Sequence, residues 1–488
     1  MWGRGAPCFT YRPANLADAP RTRLALPGSG FFAAKLLLFG SQWYGNLQPV
    51  ERYRNDMLKV KGSGFFDAGT VRRHWALIVL ALIYGVNYLD RQVLALLLEP
   101  IKQEFHVGDA ALGLLVGPTF ALFYAVLGLP LAWLADRRNR VSIIAASAAL
   151  FSCMTLLCGL AGQFWQLLLL RVGTGVGEAG TGPSSQAIIA DLYPPERRAG
   201  AQSVYALGVN LGLMIAFFGG GWIAQYYGWR SAFLAAGVPG LALAALARFT
   251  LSEPRRGSSE CLVAPLETPP LSSVVAFLRS QRAYRYIVLG TALSAFAGYG
   301  MTAFLPAFLV RSHAMPLSTV GLDFALILGV GGGIATLAAG AAADRLARHD
   351  KRWTLRIPAY CALVSLPFWP VFLLSSSATV TLFAAILPLA LSGTWIGPCV
   401  AMIQGLAPLR MRAQAAALQL LIGNAIGLGL GPQIVGLVSD GLHPYFGADS
   451  LRYALFVCVL AQLGSVGCYL TGSRTLAKDL ERASAWQP

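Results

Sequence analysis

Four ionisable residues sit where charge is costly. Asp90 and Arg91 interrupt the apolar run from Leu77 to Leu98, and Arg171 and Glu178 interrupt a second one. A helix rising 1.5 Å per residue needs about twenty residues to cross the roughly 30 Å hydrocarbon core, so both runs read as membrane spans with charge inside them. Ionisable groups at that depth are rare and mark ion paths, substrate paths or proton relays. The charge state of a carboxyl in a low dielectric depends on what faces it, so a conformational change that swaps or hydrates its partner can load or release a proton. Asp90 is the first candidate for that role and Glu178 the second. A guanidinium matches a phosphate bidentately, which makes Arg91 and Arg171 candidates for holding an anionic group, with Asn87 beside them. The bland alternative is two structural ion pairs that only orient helices.

Helix geometry gathers these residues. Asn87 stands three and four positions before Asp90 and Arg91, so the three share roughly one face. Arg171 and Glu178 are seven apart, two turns along one face. Counted from opposite membrane sides, Asp90 and Glu178 reach similar depths.

The composition requires a bilayer around these helices. The 488 residues are 56% hydrophobic and only 12% charged, with a mean hydropathy of +0.58. A soluble surface takes about a quarter charged residues. The net charge of +16 forms no stripe or tail suited to nucleic acid, and falls instead in short clusters between apolar runs. The fold class expected is an all-α polytopic membrane protein with spans near 75–98, 109–134, 141–161, 164–190, 199–223, 230–251, 284–310, 317–342, 355–376, 379–402, 412–438 and 452–471. Lys and Arg concentrate on one side of these twelve spans, and only Lys102, Arg230, Arg311 and Arg452 fall on the other. The positive-inside rule then puts both termini and the central linker in the cytoplasm, and the location expected is a bacterial inner (plasma) membrane.

Residues 252–283 part six spans from six, so the organisation expected is a cytoplasmic, largely disordered extension over 1–71, a bundle over 72–251, a linker, a second bundle over 284–472 and a tail over 473–488. Met57 opens a better lead-in than the residues before it. Within the linker, Leu271 to Leu278 is apolar enough for an amphipathic helix on the inner leaflet. Ala135-Asp136-Arg137 after the second span and Ala343-Asp344-Arg345 after the eighth form a faint repeat, which suits paired halves around a central cavity.

Gly128-x-x-x-Ala132-x-x-x-Asp136-Arg137-x-x-Arg140 resembles the loop motif between helices two and three of the major facilitator superfamily. Asn87-Tyr88-Leu89-Asp90-Arg91, Arg171-Val-Gly-Thr-Gly-Val-Gly-Glu178-Ala179, Ile189 to Arg198, Tyr227-Gly-Trp-Arg230 and Ser252-Glu-Pro-Arg-Arg-Gly257 together resemble its spinster-like branch, over roughly residues 72–475. The resemblance implies twelve helices in two pseudo-symmetric bundles, and export of a lysophospholipid or sphingoid-type lipid by alternating access with proton coupling. Asp136, Arg137, Arg140, Asp344 and Arg345 are then gating candidates: Asp136 can face a helix amino end and pair with Arg137 or Arg140, and so lock one state.

The second half carries almost no buried charge except Asp323, which is expected to pair with Arg311 or to line an external vestibule. It supplies aromatics, among them Phe304 and Phe308 as candidates for an acyl chain. The partners expected are thus an amphiphilic lipid, protons and the bilayer, with the chain a monomer and no cofactor or metal. Competing readings are a proton-coupled carrier of a small organic anion and an uncoupled lipid scramblase. An enzyme is disfavoured, because His74, His106, His313, His349 and His443 never cluster in sequence. No phosphate-binding Gly-x-x-x-x-Gly-Lys-[Ser/Thr] occurs for an ATP-driven pump. The eight cysteines show no metal spacing and read as small hydrophobes.

Overall fold

The computed structural model describes residues 68–256 and 270–485 apart from a few side chains, Asp136 among them. Expectations for residues 1–67 lie outside the described residues. One compact unit holds Ala76–Pro488, and the other, Met1–Trp75, falls almost wholly outside the description.

The described chain is helical. Its first half comprises α1 (Ala68–Leu96), α2 (Leu98–Phe105), α3 (Asp109–Val116), α4 (Pro118–Arg137), α5 (Arg140–Cys158), α6 (Phe164–Ala179), α7 (Thr181–Leu192), α8 (Pro195–Met214) and α9 (Gly220–Thr250). A short α10 (Leu271–Ser280) precedes the second half: α11 (Arg282–His313), α12 (Leu317–Phe324), α13 (Gly332–Ala347), α14 (Trp353–Ser365), α15 (Phe368–Leu374), α16 (Ala378–Leu391), α17 (Ile396–Leu406), α18 (Arg412–Gly423), α19 (Gly431–Phe446), α20 (Ser450–Ala454) and α21 (Phe456–Ala485). Wide π turns over Ile215–Gly219, Ala325–Gly331 and Asn424–Leu430 join α8 to α9, α12 to α13 and α18 to α19.

Among the described residues nine continuous helical stretches are long and apolar enough to cross a membrane. The difference from the expected twelve has three sources. Gly200–Thr250 is 51 residues long, about 75 Å if laid out as one helix and more than two bilayer cores. It turns at Gly228, whose φ of +81° suits glycine and interrupts the helical path. Gln414–Ala483 is longer still, at 70 residues, and includes a second positive-φ glycine, Gly447. The stretch expected over 164–190 is divided at Gly180 into α6 and α7, each too short alone.

Glycines show how the halves meet. A methyl group placed on Gly113 would lie 2.6 Å from the Pro432 carbonyl oxygen, one on Gly117 2.6 Å from that of Gly429, and one on Gly221 2.7 Å from that of Leu317. Such spacing permits backbone contact between membrane helices, where packing rather than the hydrophobic effect drives association. Gly128, Gly200, Gly333 and Gly340, on the same helical stretches but nearer their other ends, have nothing within 4 Å of that methyl position.

The cores repeat this asymmetry. One cluster joins both halves, setting Leu97, Ile101 and Phe217 against Phe304, Phe324 and Val435. Towards the ends that carry Arg137 and Asp344, one core belongs to the first half, around Ile83, Phe151 and Ile188, and another to the second, around Ile287, Ile403 and Tyr469. The halves are tied at one end and independent at the other. Helix α10 buries Val274 and Leu278 in the second half's core.

Candidate functional site

Asp90 and Arg91 are consecutive on α1 and point about 100° apart, so each meets a different partner on α6. Arg91 Nη2 lies 2.6 Å from Glu178 Oε2, and its Nε donates to the same oxygen at 2.7 Å. Arg171 Nη1 donates to Asp90 Oδ2 at 2.9 Å. Asn87 Nδ2 donates to Thr181 Oγ1 at 2.7 Å, one turn beyond Glu178. The four charges therefore form two ion pairs between α1 and α6, both in the interior: side-chain exposure is 13% for Arg91, 2% for Asp90 and Arg171, and none for Glu178.

The two carboxylates are not equivalent. Asp90 has both oxygens engaged, since Oδ1 accepts from Thr155 Oγ1 at 2.5 Å. Glu178 has both Arg91 nitrogens on Oε2, while Oε1 is buried without a hydrogen-bond partner. Asn87 Oδ1 and Arg171 Nε are likewise buried and unpartnered. A buried polar atom left unmatched is costly, so these three atoms are where a proton, a water or a ligand group gains most.

Phe120 of α4 stands between the cations, its ring centroid 4.6 Å from the Arg91 guanidinium carbon and 5.1 Å from that of Arg171. Tyr124 and Tyr88 bring two more rings to Arg91, at 4.9 and 5.5 Å. Cation–π contact offsets part of the desolvation cost. Beside them lies a cavity of about 30 Å³, lined by Tyr88, Arg91, Phe120 and Arg171 from the first half and by Tyr299 and Thr302 from the second. A second cavity, about 40 Å³, lies within the second half among Ser294, Thr302, Trp369, Thr394, Gln462 and Tyr469. Thr302 borders both. Each has room for a water.

Phe304 and Phe308 are fully buried in the core shared by the halves and line neither cavity. Phe304 follows Thr302 by two residues, about 200° around α11, and so faces away. Phe308 packs against Phe372 and His313 at 5.4 and 5.5 Å.

At the tied end the structure holds a site that the sequence reading did not find. Arg311, at the end of α11, donates through Nη2 to Glu99 Oε2 at 2.8 Å and through Nη1 to Asp109 Oδ2 at 2.9 Å. Lys102 Nζ donates to Asp109 Oδ1 at 2.7 Å, and Ser439 Oγ to Asp109 Oδ2 at 2.6 Å. Glu99, Lys102 and Asp109 belong to the first half, Arg311 and Ser439 to the second. Asp440 adds a cap. Its two carboxylate oxygens each accept at 2.8 Å from the backbone N–H of Asp109 and Ala110 at the start of α3. A Cβ at Gly108 would crowd that carboxylate and push the cap aside. Arg311 is thus committed to Glu99 and Asp109, and the pairing expected with Asp323 does not form.

The four cations expected on this side all have acids: besides Lys102 and Arg311, Arg230 Nη1 donates to Glu104 Oε2 at 2.6 Å, and Arg452 lies 3.4 Å from Asp449. The Arg230 hydrogen bond, joined by that of Trp229, holds the Glu104 carboxyl below the usual carboxylate range. The signal available was the matching of Glu99, Glu104, Asp109 and Asp449 to four cations on one side.

At the opposite end, Arg140 pairs with Asp191 at 2.5 Å, and its backbone N–H and that of Val141 donate to Glu253 Oε2 at 2.7 and 3.2 Å. Arg256 donates to the Ala135 and Arg138 carbonyls, so Glu253 and Arg256 together fasten the α4–α5 loop. Arg137 lies over the Trp133 ring at 3.8 Å. Asp344 and Arg345 are exposed and make no ion pair with a described residue. The side chain of Asp136 lies outside the described residues.

Comparison with known proteins follows this geometry. The Major Facilitator Superfamily pattern matches residues 80–432. The chain is 36% identical over 413 residues to an MFS-type efflux pump of Mycolicibacterium smegmatis, covering 84% of this chain and 95% of that one. It is 30% identical to protein spinster homolog 1 of Bos taurus, over 81% of this chain and 79% of the relative. A bacterial homolog of the human lysosomal transporter Spinster, crystallised inward-facing and unoccupied, superposes with a TM-score of 0.73 at 29% identity, over 86% of this chain and 99% of that one. A chain with charged helices paired across its first half, two halves tied at one end only, and these relatives belongs to the major facilitator superfamily, in its spinster-related branch.

Proposed function

We propose that this protein is a secondary transporter that moves an amphiphilic lipid with a phosphate-bearing head, of the lysophospholipid or sphingoid-phosphate kind, by alternating access driven by protons. The observation that carries the reading is the unequal pair of carboxylates: Arg91 faces the cavity while its partner Glu178 keeps one buried oxygen free. Protonation of Glu178 removes the charge that holds Arg91 and frees the guanidinium for a phosphate. Return of the carboxylate competes that phosphate away. Asp90, with both oxygens satisfied, fixes Arg171 and the helix pair, so Glu178 takes the exchanging role ahead of Asp90. Asn87 and Arg171 complete the polar wall.

Twelve crossings in two bundles, 72–251 and 284–472, follow if the two overlong stretches each double back and α6 with α7 crosses as one. Positive charge puts the Arg137 end and both termini in the cytoplasm of a bacterial cell. The tied end is then the outer end, and the separate cores and open glycines at the other correspond to an inward-facing state, as in the bacterial relative. Asp344 and Arg345, which pair with no described residue, would engage with Asp136 and Arg137 when that end closes, and Arg140 would exchange its present partner Asp191. Phe304 and Phe308 lie in the core here, so chain contact falls first to Tyr299 and the second-half cavity. A water-sized cavity has to widen to admit a head group, which separation of the halves provides.

One further relative supports the substrate class by its name. A sphingosine-1-phosphate transporter of Danio rerio is 28% identical over 85% of this chain. Uptake into proteoliposomes under an imposed pH gradient tests the proposal, comparing a lysophospholipid, a sphingoid phosphate and a soluble organic phosphate. Gradient-driven accumulation of a lipid is expected. Accumulation of the soluble phosphate alone would establish the small-anion reading, and equilibration without pH dependence would establish a scramblase.

A further inference from the structure

Asp323 is the one strongly polar residue lining a large apolar groove on the membrane face of the second half. The groove encloses about 560 Å³ between α12 with its following π turn and α16, and its walls include Leu326, Val330, Phe383 and Ile386. Those four side chains are exposed, with Phe383 at 71%, so they face the bilayer. Asp323 Oδ2 is buried without a hydrogen-bond partner, and no described residue forms an ion pair with the carboxylate. No cation lines the groove. It lies six residues from the start of α12, about 9 Å below the tied end, which is outer-leaflet depth.

A carboxylate in this position has two unmet needs, a donor and a counter-charge. Among the described residues no cation meets the second, and Arg311 and Arg452 are committed elsewhere. From Asp323 to Gly331 the groove follows about 12 Å of helix, long enough to lay down an alkyl chain. We propose that this groove binds a lipophilic amine from the outer leaflet, its ammonium on Asp323 and its chain along Leu326, Val330, Phe383 and Ile386. The ligand class is the charge opposite of the one proposed for Arg91, so the two sites discriminate by head group. The outer-leaflet placement rests on the orientation proposed above, whereas the groove and its buried carboxylate oxygen do not.

The test uses purified full-length protein and three probes that share one chain: dodecylamine, dodecanol and dodecyl phosphate. Dodecylamine is expected to bind at least about tenfold more tightly than dodecanol, as a charge-assisted hydrogen bond implies. Asp323→Asn should bring the amine to the alcohol's affinity and leave dodecyl phosphate unchanged. A photoreactive amine should label Phe383 or Ile386, and Ile386→Trp, which fills the groove, should abolish that labelling. Equal amine affinity in Asp323→Asn and the unaltered protein, or labelling confined to the central cavity, would overturn the proposal. Because dodecyl phosphate reports on the Arg91 site in the same experiment, failure of one site is distinguishable from failure of the other.

Discussion

Replacing Arg311 with Met should shift the protein away from the state in which its outer end is closed. Arg311 holds two buried carboxylates at once, Glu99 at 2.8 and 3.2 Å and Asp109 at 2.9 and 3.0 Å, with side-chain exposures of 11, 9 and 1% for the three residues. Removing one member of a buried ion pair costs about 3–5 kcal/mol, because the partner charge remains. Asp109 would keep Lys102 and Ser439, whereas Glu99 would keep only Gln103, which donates at 3.2 Å. The lower end of the range applies, and about 3 kcal/mol is a shift of roughly 150-fold in the conformational ratio. Met preserves most of the volume, so the loss is electrostatic. A membrane-impermeant thiol reagent added from outside should label a cysteine at Gln92, on the cavity wall, far faster in Arg311→Met in a background freed of native cysteines. Arg311→Lys, which cannot fork to both acids, should fall between. Equal labelling in all three would refute the gate.

Other consequences can be measured alongside. Glu178→Gln should abolish pH-gradient-driven uptake while the protein stays folded in detergent; Asp90→Asn, which leaves Arg171 buried without its counter-charge, should instead lower thermal stability by about 3 kcal/mol or more, and the reverse pattern would reverse the two roles. Gly113→Ala places a methyl 2.6 Å from the Pro432 carbonyl oxygen and should favour outer opening by about 1–3 kcal/mol, whereas Gly340→Ala, with nothing within 4 Å, should leave the labelling ratio alone. Since Arg230 lowers the Glu104 carboxyl, their link is intact above the free carboxyl's pKa of about 4.3 and is lost as pH falls through the lowered value. Melting curves should therefore separate Glu104→Gln from the unaltered protein at neutral pH and converge under strong acid.

The central charges were legible in the sequence because a bilayer makes them conspicuous: Asp90, Arg91, Arg171 and Glu178 each break an apolar run, and helical spacing limits whom they can meet. Which carboxylate has a free oxygen was not legible, since it depends on Thr155 reaching Asp90 from a third helix. Phe304 and Phe308 went to the core because composition reports that a phenyl ring is buried and not against what. The charged cluster at the tied end was missed for the opposite reason to the central site's discovery. Glu99, Lys102 and Asp109 stand near helix ends and Asp440 just past the expected span 412–438, where charge is ordinary, and their partners lie up to 331 positions away. The expected helix count and the nine described stretches part over continuity: Gly200–Thr250 is one stretch that bends at Gly228, and the stretch expected over 164–190 is divided at Gly180 into two helices each too short to span alone.

The carboxylate of Asp440 makes the amino end of α3 a helix terminus whose cap arrives from the other half of the molecule. Gly108 has no side chain to take its place, and both donors, the N–H groups of Asp109 and Ala110, hang on one group. A gap of an ångström or two would break both bonds before water could enter to replace them, so a partly opened outer end is the least favourable point on the path. Opening there should consequently be a rare, abrupt event with a definite barrier, its dwell times exponentially distributed. Asp440→Ala should shorten the closed dwell more than it lengthens the open one.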